Sequence, residues 1–419
     1  MQVQTQVRRA PSGPAWLNRN VLAIGLADCM ADFNYEMVLA VLPLFLTAGL
    51  GAPASAVGLV EGVADGSSAA VRVWSGWFSD RVPWRKRLAV GGYSATVAGL
   101  ATLGLIFSWP LVVVARGFAW VGRGLRQPVR SSMLAGSVGR ADLGKAFGFH
   151  EAMDTLGALL GPAVAFALLA RGQGFRTVFW VAILPGLLAV SCFALLTRDP
   201  RPAPAPGPQP RWAPLPAGFW RLLVAVAVFG VGNFAPAFFT LRAAEMLQPE
   251  LPHAAAVSAA VLFYLGHHAV GTAVSFPGGW VADRLGKVPV LAFAYLVFGA
   301  ACLVAMVGHG PSAVALLALA AGLQAPLVTA TEGSLVGSLV PEQSSGTAFG
   351  VLAGVNGVAD LLSSVSVGLL WTAAGAPAGL AFGGLLAVLG GALLLVLRPG
   401  SGEAGSTGGA KREASAAAG

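Results

Sequence analysis

The sequence predicts an all-α polytopic membrane protein with twelve transmembrane helices in two pseudo-symmetric six-helix bundles. Composition, apolar stretches of membrane-spanning length and an internal repeat predict this fold. Of the 419 residues, 56% are hydrophobic and only 11% are charged, and the mean hydropathy is +0.73. A soluble domain carries about 25% charged residues. This chain therefore has too little charge to cover a water-facing surface, and lipid must be its main solvent.

The spans follow from the distribution of apolar residues, because a bilayer core needs about 20 mostly apolar residues per helix. We number the predicted spans 1–12 in chain order. They cover residues 20–48, 54–79, 88–108, 111–137, 145–170, 177–197, 218–246, 254–281, 288–308, 312–339, 347–373 and 378–397. Most gaps between them are short, so neighbouring spans are expected to run antiparallel. The first stretch contains three acidic residues and is too polar for a cleavable signal peptide.

Basic residues predict the orientation. With the N-terminus in the cytoplasm, 18 of the 26 Lys and Arg residues fall in cytoplasmic segments, six lie within spans, and only Arg171 and Arg176 fall outside. The positive-inside rule then places both termini in the cytoplasm. The excess of Arg over Lys, with abundant Ala and Gly, suggests a GC-rich bacterial gene and hence the bacterial cytoplasmic (inner) membrane. The net charge of +8 reflects this topology, and no nucleic-acid partner is expected.

Five segments are predicted along the chain. Residues 1–19 form an N-terminal cytoplasmic segment, and residues 20–197 form the first bundle. Residues 198–217 are rich in proline, which cannot continue a helix and favours extended structure, so they are predicted to be a cytoplasmic linker. Residues 218–397 form the second bundle. Residues 398–419 are rich in Gly, Ser and Ala and are predicted to be a disordered cytoplasmic tail.

The two halves share short motifs at a nearly constant offset. Residues 76–81 (GWFSDR) match residues 279–284 (GWVADR), and residues 145–148 (KAFG) match residues 347–350 (TAFG). Two further matches occur in the same order at equivalent span ends, which indicates duplication. Each half has an even number of spans, so both have the same orientation. Parallel repeats packed face to face leave a midplane cavity that rocking can expose to either side.

The loop after span 2 resembles the signature loop of the major facilitator superfamily, with a glycine, then Asp-Arg, then a basic cluster. A shorter version follows span 8. The residues that carry the pattern are Gly76, Asp80, Arg81 and Arg85 in the first loop and Gly279, Asp283 and Arg284 in the second. The resemblance extends over residues 18–397. It implies two bundles that work by alternating access, with a monomer sufficient.

Two of these motifs have an expected role in gating. Asp80 lies at a cytoplasmic helix end and is expected to latch the halves by pairing with an arginine or facing a helix N-terminus. The alternative is a solvated basic turn that only sets topology. In span 5, Gly157, Gly161 and Pro162 resemble the Gly-Pro element that marks antiporters of this superfamily. Proline should bend or loosen the helix, although a packing bend without directional meaning is the alternative.

Ionisable side chains inside the spans are concentrated in the first half and are functional candidates. Asp32 and Glu36 on span 1 and Asp65 on span 2 lie near the middle of the membrane. Burial favours the neutral form of a carboxyl group. These three acids are therefore the candidates for proton coupling.

A larger set of residues is predicted to bind substrate or to form a charge network. It consists of Tyr35, Arg123, Arg126, Arg130, His150, Glu151, Asp154, Asn233, Gln324, Glu332, Asn356 and Asp360. The span 4 arginines and the span 5 acids have a similar height and are expected to pair. The arginine face either binds an anionic substrate or resets the proton-carrying acid by competing for it. Alternatively, the charges form a structural network that gates the cytoplasmic side. His150 is expected to belong to this network rather than to a metal site, and no metal is expected.

No phosphate-binding loop, metalloprotease helix or nucleophile elbow is present, so the sequence predicts neither an enzyme nor ATP-driven transport. No cofactor is expected, and a proton gradient is the predicted energy source. The preferred hypothesis is proton-coupled export of a small organic molecule. Proton-coupled uptake of an anionic metabolite and a non-transporting membrane sensor on the same fold are the alternatives.

Overall fold

The computed structural model describes residues 16–79, 84–139, 142–199, 215–340 and 345–399. Within these ranges the chain is helical and has no strand. Its α-helices are Arg19–Leu39, Leu42–Leu44, Ala54–Ser79, Arg85–Thr102, Trp109–Ala135, Leu143–Ala170, Phe175–Leu196, Ala217–Gly232, Ala237–Leu247, His253–Leu285, Lys287–Val307, Gly310–Leu339, Ser345–Ala374 and Ala376–Leu397. A π-helical turn, Phe45–Gly49, extends span 1, and a 3-10 turn, Leu103–Leu105, ends span 3.

These helices form the twelve predicted spans, which confirms the fold class. Among the described residues, ten helices are both long and apolar enough to cross a membrane. Spans 2 and 4 are equally long but carry more charge. Span 2 contains Glu61, Asp65 and Arg72, and span 4 contains four arginines. These two helices belong to the same bundle and contact each other.

Span 7 is broken near its midpoint. Its first helix ends at Gly232 and its second begins after Pro236, whose ring removes a backbone N–H. Two serines of span 11 bind the backbone groups released by this break. The Ser364 hydroxyl accepts from Ala235 N–H at 3.3 Å, and the Ser363 hydroxyl donates to the Asn233 carbonyl at 3.1 Å. Such side-chain partners are what make irregular backbone tolerable at membrane depth.

We call the predicted cytoplasmic side of the membrane the inner side and the opposite one the outer side. Spans 2 and 11, from different halves, touch at their outer ends. Gly58 lies directly against the carbonyl oxygen of Ser364, and a Cβ on Gly368 would be 3.0 Å from the carbonyl oxygen of Ala54. Ser55 N–H also donates to the Thr372 hydroxyl at 2.8 Å. Only glycine permits this approach of two backbones.

The same two spans stay in contact as far as Gly357, where a Cβ would be 2.6 Å from Ala69 Cβ, and separate beyond it toward the inner side. A cleft of about 450 Å³ lies between them, lined by residues that include Ala69, Arg72, Gly354 and Val358. A Cβ on Gly354 would have no neighbouring atom within 4 Å. Among the described residues, spans 2 and 11 are therefore closed at the outer side and parted at the inner side. The predicted linker and tail lie largely outside the described residues.

Candidate functional site

Span 1 carries a fully buried carboxylate, Asp28, that holds the first bundle together. Its Oδ1 lies 2.8 Å from Arg130 Nη1 and 3.9 Å from Arg126 Nη1, and its Oδ2 lies 2.7 Å from His150 Nε2. The Tyr93 hydroxyl donates a short hydrogen bond to the same carboxylate. We call these five residues the Asp28 cluster. They join spans 1, 3, 4 and 5, and their mutual pairing offsets the cost of burying charge.

The predicted partners of the span 4 arginines are thus incorrect. Arg126 and Arg130 approach Asp28 of span 1, not Glu151 or Asp154 of span 5. Glu151 is exposed, and Asp154 Oδ1 is buried without a hydrogen-bond partner. The difference arises because equal height in the membrane does not fix helix rotation. Span 1 turns Asp28 into the bundle between the helices that carry the arginines.

Asp28, His150 and Asp154 could in principle hold a metal ion, since one ligand atom from each lies within 4.8 Å of the others. The donor set does not favour this. Asp28 already has a guanidinium at 2.8 Å and a second at 3.9 Å, and those positive charges repel a cation. His150 is therefore best described as a member of the Asp28 cluster.

Asp32, one turn further along span 1, has a different environment. It is 5% exposed and forms no ion pair or hydrogen bond with the part of the chain that the structure describes. Two acids, Asp154 and Asp28, and two arginines, Arg126 and Arg123, act on it electrostatically. The carboxyl group thus lies in a buried, charged surrounding without a direct partner. That arrangement suits a group that gains and loses a proton.

Span 5 approaches span 1 closely because of two glycines. A Cβ on Gly157 would be 2.9 Å from Asp32 Cβ, and one on Gly161 would be 2.6 Å from the backbone nitrogen of Met37. The helix Leu143–Ala170 continues through Pro162 without interruption. The two glycines of the predicted bend motif therefore act as contact points along span 1, beside the candidate proton-coupling acids.

Arg123 is the span 4 arginine that has no ion pair among the described residues. Its Nη2 donates to the Tyr35 hydroxyl at 3.2 Å. Its guanidinium lies 4.7 Å from the Tyr35 ring centroid and 5.2 Å from that of Trp120. Aromatic faces stabilise a cation without neutralising it. Arg123 is thus positioned to attract a negative charge from the substrate or from Asp32.

Spans 2 and 4 share a second buried ion pair. Arg116 Nη2 lies 2.9 Å from Glu61 Oε2, and the guanidinium is 3.1 Å from the Trp120 ring centroid. Trp120 Nε1 in turn donates to Asp65 Oδ1 at 3.1 Å. Asp65, a predicted proton-coupling acid, therefore has one neutral donor. Neither Arg116 nor Glu61 was among the predicted site residues; the expected pairing of buried charges was the signal for them.

Glu36 connects the two halves. It is 7% exposed, accepts a hydrogen bond from the Tyr264 hydroxyl of span 8 at 2.7 Å, and lies 3.4 Å from His268 Nε2 of the same span. We call these three residues the cross-half link. Its span 8 partners were not in the predicted set, because residues more than two hundred positions apart show no local pattern that reveals their contact.

The second half contains fewer charges. Glu332 accepts from the Tyr295 hydroxyl at 2.9 Å and from Asn356 Nδ2 at 3.3 Å, so two predicted residues meet there. Asp360 is half-buried on span 11, within electrostatic range of Arg72 on span 2. Gln324 and Asn233 line a cavity inside the second bundle.

The predicted gating loops are described only in part. Asp80 and Arg81 lie outside the described residues, and so does the side chain of Asp283, so the latch stays a prediction. Gly76 and Gly279 lie within helices. Arg85 donates to the Ser132 hydroxyl at 3.1 Å, and the Arg284 guanidinium lies 3.7 Å from the Trp280 ring centroid.

Twelve spans that enclose carboxylates, guanidinium groups and imidazoles define a polytopic membrane protein whose two halves share a polar interior. The family model described as Major Facilitator Superfamily matches residues 24–267 and 251–418. The chain belongs to this superfamily of transporters.

Individual relatives agree with this assignment. The chain is 28% identical over 383 residues to an uncharacterised MFS-type transporter of Methanocaldococcus jannaschii, covering 91% of this chain and 95% of that protein. It is 29% identical to an uncharacterised protein of Mycobacterium tuberculosis, covering 86% and 88%.

Solved structures share the fold. A peptide transporter POT in complex with sulfate has a TM-score of 0.75 at 16% identity, over 91% of this chain and 94% of that one. The nucleoside transporter NupG has a TM-score of 0.74 at 11% identity, over 90% and 99%.

Proposed function

We propose that the protein is a proton-coupled secondary transporter that exports a small organic molecule by alternating access. It works as a monomer in a bacterial cytoplasmic membrane, with both termini in the cytoplasm, and the proton gradient is its energy source. The observation that supports this most directly is the cross-half link, in which a buried carboxyl group of the first half accepts a hydrogen bond from Tyr264 of the second and lies 3.4 Å from His268.

Proton binding at Glu36 would change that link. Ionised Glu36 accepts a charge-assisted hydrogen bond from Tyr264, and such bonds are roughly twice as strong as neutral ones. Protonation removes the negative charge and weakens the link, which lets spans 1 and 8 move apart. Arg123 of span 4 and Glu61 of span 2 also act on Glu36 electrostatically. Proton occupancy and the relative position of the halves are then coupled.

Asp32 supplies a second proton position one turn away on span 1. It has no ionic partner among the described residues, and Arg123 and Arg126 lie within electrostatic range. A substrate group that draws Arg123 away, or replaces it, would alter the preference of Asp32 for its proton. This provides the exchange between substrate and proton that an exporter requires.

Uptake of an anionic metabolite is the second candidate, and Arg123 is the observation that favours it. Its guanidinium has aromatic neighbours but no carboxylate within ion-pair distance among the described residues. Replacement by Gln would then abolish anion uptake while leaving the bundle folded. An Arg123→Gln protein that transports anions normally would exclude this alternative.

Proteoliposomes with a pH gradient and an internal pH dye test the main proposal. With a panel of neutral, cationic and anionic organic molecules, at least one compound should accelerate proton movement in the wild type. Asp32→Asn and Glu36→Gln should lose this coupled proton movement but retain substrate counterflow. Glu151→Gln, at an exposed acid, is the matched control. Wild-type proton movement in both variants would refute proton coupling through span 1, and no compound-dependent flux at all would favour the sensor alternative.

A further inference from the structure

The break in span 7 opens a cavity inside the second bundle. Its volume is about 220 Å³, and it lies among spans 7, 8, 9 and 10. We call it the span 7 cavity. Its polar lining residues are Asn233, His267, Gln324 and Thr329, and its aromatic ones are Phe234, Phe239 and Phe298.

Two of these polar side chains are buried without using their hydrogen-bonding capacity. His267 is 9% exposed, and its Nδ1 is buried with no partner. Gln324 is 5% exposed, and its amide forms no hydrogen bond within the part of the chain that the structure describes. Buried polar groups are nearly always paired, and exceptions need an explanation. A ligand that supplies the missing donors and acceptors provides one.

The chemistry of the lining selects an uncharged ligand. The cavity lining contains no Asp, Glu, Lys or Arg, so an ion there would have no counter-charge. The amide of Gln324 offers both a donor and an acceptor, which matches a carboxamide in a paired geometry. Three phenylalanine rings provide flat apolar surfaces for an aromatic ring. At about 220 Å³ the cavity is below the roughly 300 Å³ at which drug-sized pockets begin, so it takes one ring with its substituent.

We propose that the span 7 cavity is the subsite for a neutral aromatic carboxamide group of the transported molecule, held by Gln324 and His267. This rests on the proposed transport function and specifies its substrate. The charged part of the substrate would then face Arg123 or Asp32 in the first half. The recognition of the molecule is divided between the halves, with neutral groups bound by the second.

The cavity is also close to the cross-half link. The rings of His267 and His268 meet edge to face with centroids 4.8 Å apart, and His268 lies 3.4 Å from Glu36. A ligand that binds His267 therefore alters the position of the histidine beside the coupling acid. Binding at the cavity and proton binding at Glu36 are linked through two adjacent residues of span 8.

Equilibrium binding of radiolabelled nicotinamide to the purified full-length protein in detergent tests the subsite. Nicotinate is the matched probe, because it has the same ring with a carboxylate in place of the carboxamide. We expect saturable nicotinamide binding in the wild type and at least ten-fold weaker binding of nicotinate. Gln324→Leu and His267→Phe should each weaken nicotinamide binding at least ten-fold. Gln173→Leu, the same change at an exposed loop position, should leave it unchanged.

The choice of Gln324→Leu also provides a control for misfolding. Gln324→Leu removes a cavity-lining amide that forms no hydrogen bond within the described part of the chain, so the variant is expected to be at least as stable as the wild type. Absence of nicotinamide binding, equal binding of nicotinate, or unchanged binding in both cavity variants would overturn the subsite. Compound-dependent proton flux alongside any of these results would leave the transport proposal intact. Selective binding without flux of any compound would refute transport and retain the subsite.

Discussion

Each half of the molecule consists of six spans, but the two halves differ in the side chains that they bury. The first half encloses ionised groups in contact with one another, as in the Asp28 cluster and the Arg116–Glu61 pair. The second half satisfies Glu332 with neutral donors and leaves a cavity without a charged lining. The two halves that the repeat relates in sequence therefore differ in the chemistry of their interiors.

Equivalent positions show this divergence. Asp32 and Phe33 of span 1 correspond in sequence to Asn233 and Phe234 of span 7. The acid of the first half lies in an α-helix beside span 5, whereas the amide of the second half ends a helix at the span 7 break. One position is the proposed proton carrier, and its counterpart lines the proposed subsite for a neutral ligand. The comparison suggests that coupling and recognition are divided between the halves.

The largest effect is expected from Asp28→Leu. The change leaves Arg126 and Arg130 without their carboxylate in the core of the first bundle. Breaking a buried ion pair by removing one partner costs about 3–5 kcal/mol. We expect loss of the monodisperse protein or a strongly lowered melting temperature in detergent, measured by size-exclusion fluorescence and thermal unfolding. An unchanged melting temperature would show that the cluster does not stabilise the bundle.

Glu36→Gln is expected to affect function more than stability. Glutamine can still accept from Tyr264 but cannot be ionised, so the link no longer responds to protons. Proton-coupled flux should fall at least ten-fold, while counterflow and the melting temperature stay close to wild type. Tyr264→Phe provides the partner test, since it removes the donor and keeps the acid. Loss of counterflow in Glu36→Gln would instead indicate a structural role for the link.

An effect of intermediate size is expected from Gly58→Val, which should open spans 2 and 11 at the outer side and close them at the inner side. A side chain at Gly58 would collide with the carbonyl oxygen of Ser364 and push the outer ends of spans 2 and 11 apart. The parted inner ends should then close. In a background with Cys29, Cys192 and Cys302 replaced by Ser, a Gly354→Cys reporter in the inner cleft should react about five-fold more slowly with a polar maleimide. Equal or faster labelling would contradict this geometry.

The smallest effect is expected from Glu332→Gln in the second half. Its partners Tyr295 and Asn356 are neutral and can hydrogen-bond an amide as they do a carboxyl group. The change in unfolding free energy should be within about 1.5 kcal/mol, the range of a single neutral hydrogen bond. If Glu332→Gln lowered the unfolding free energy as much as Asp28→Leu, a buried acid would matter equally for the stability of both halves. Thermal unfolding in the same detergent gives the comparison directly.

The spans and the repeat were predictable because they depend on local composition. All twelve spans lie where the apolar stretches indicated, including spans 2 and 4 with their charges. The partners within the site were not predictable. Asp28, Asp32 and Glu36 recur every four residues in the sequence and so share one helix face, yet one pairs with arginines, one has no direct partner and one crosses to the other half. Their environments depend on the rotation and packing of four other spans, which one sequence does not specify.

The outer contact between spans 2 and 11 has a mechanical consequence. Gly58, Gly368 and the carbonyl of Ser364 meet through backbone atoms, so the described members of this contact contain no group that ions or pH outside the cell could unlock. The contact is therefore better described as a fixed hinge point than as a switchable closure. We therefore propose that the signal for parting these outer ends is the breaking of the bond between Glu36 and Tyr264, which is buried between the halves.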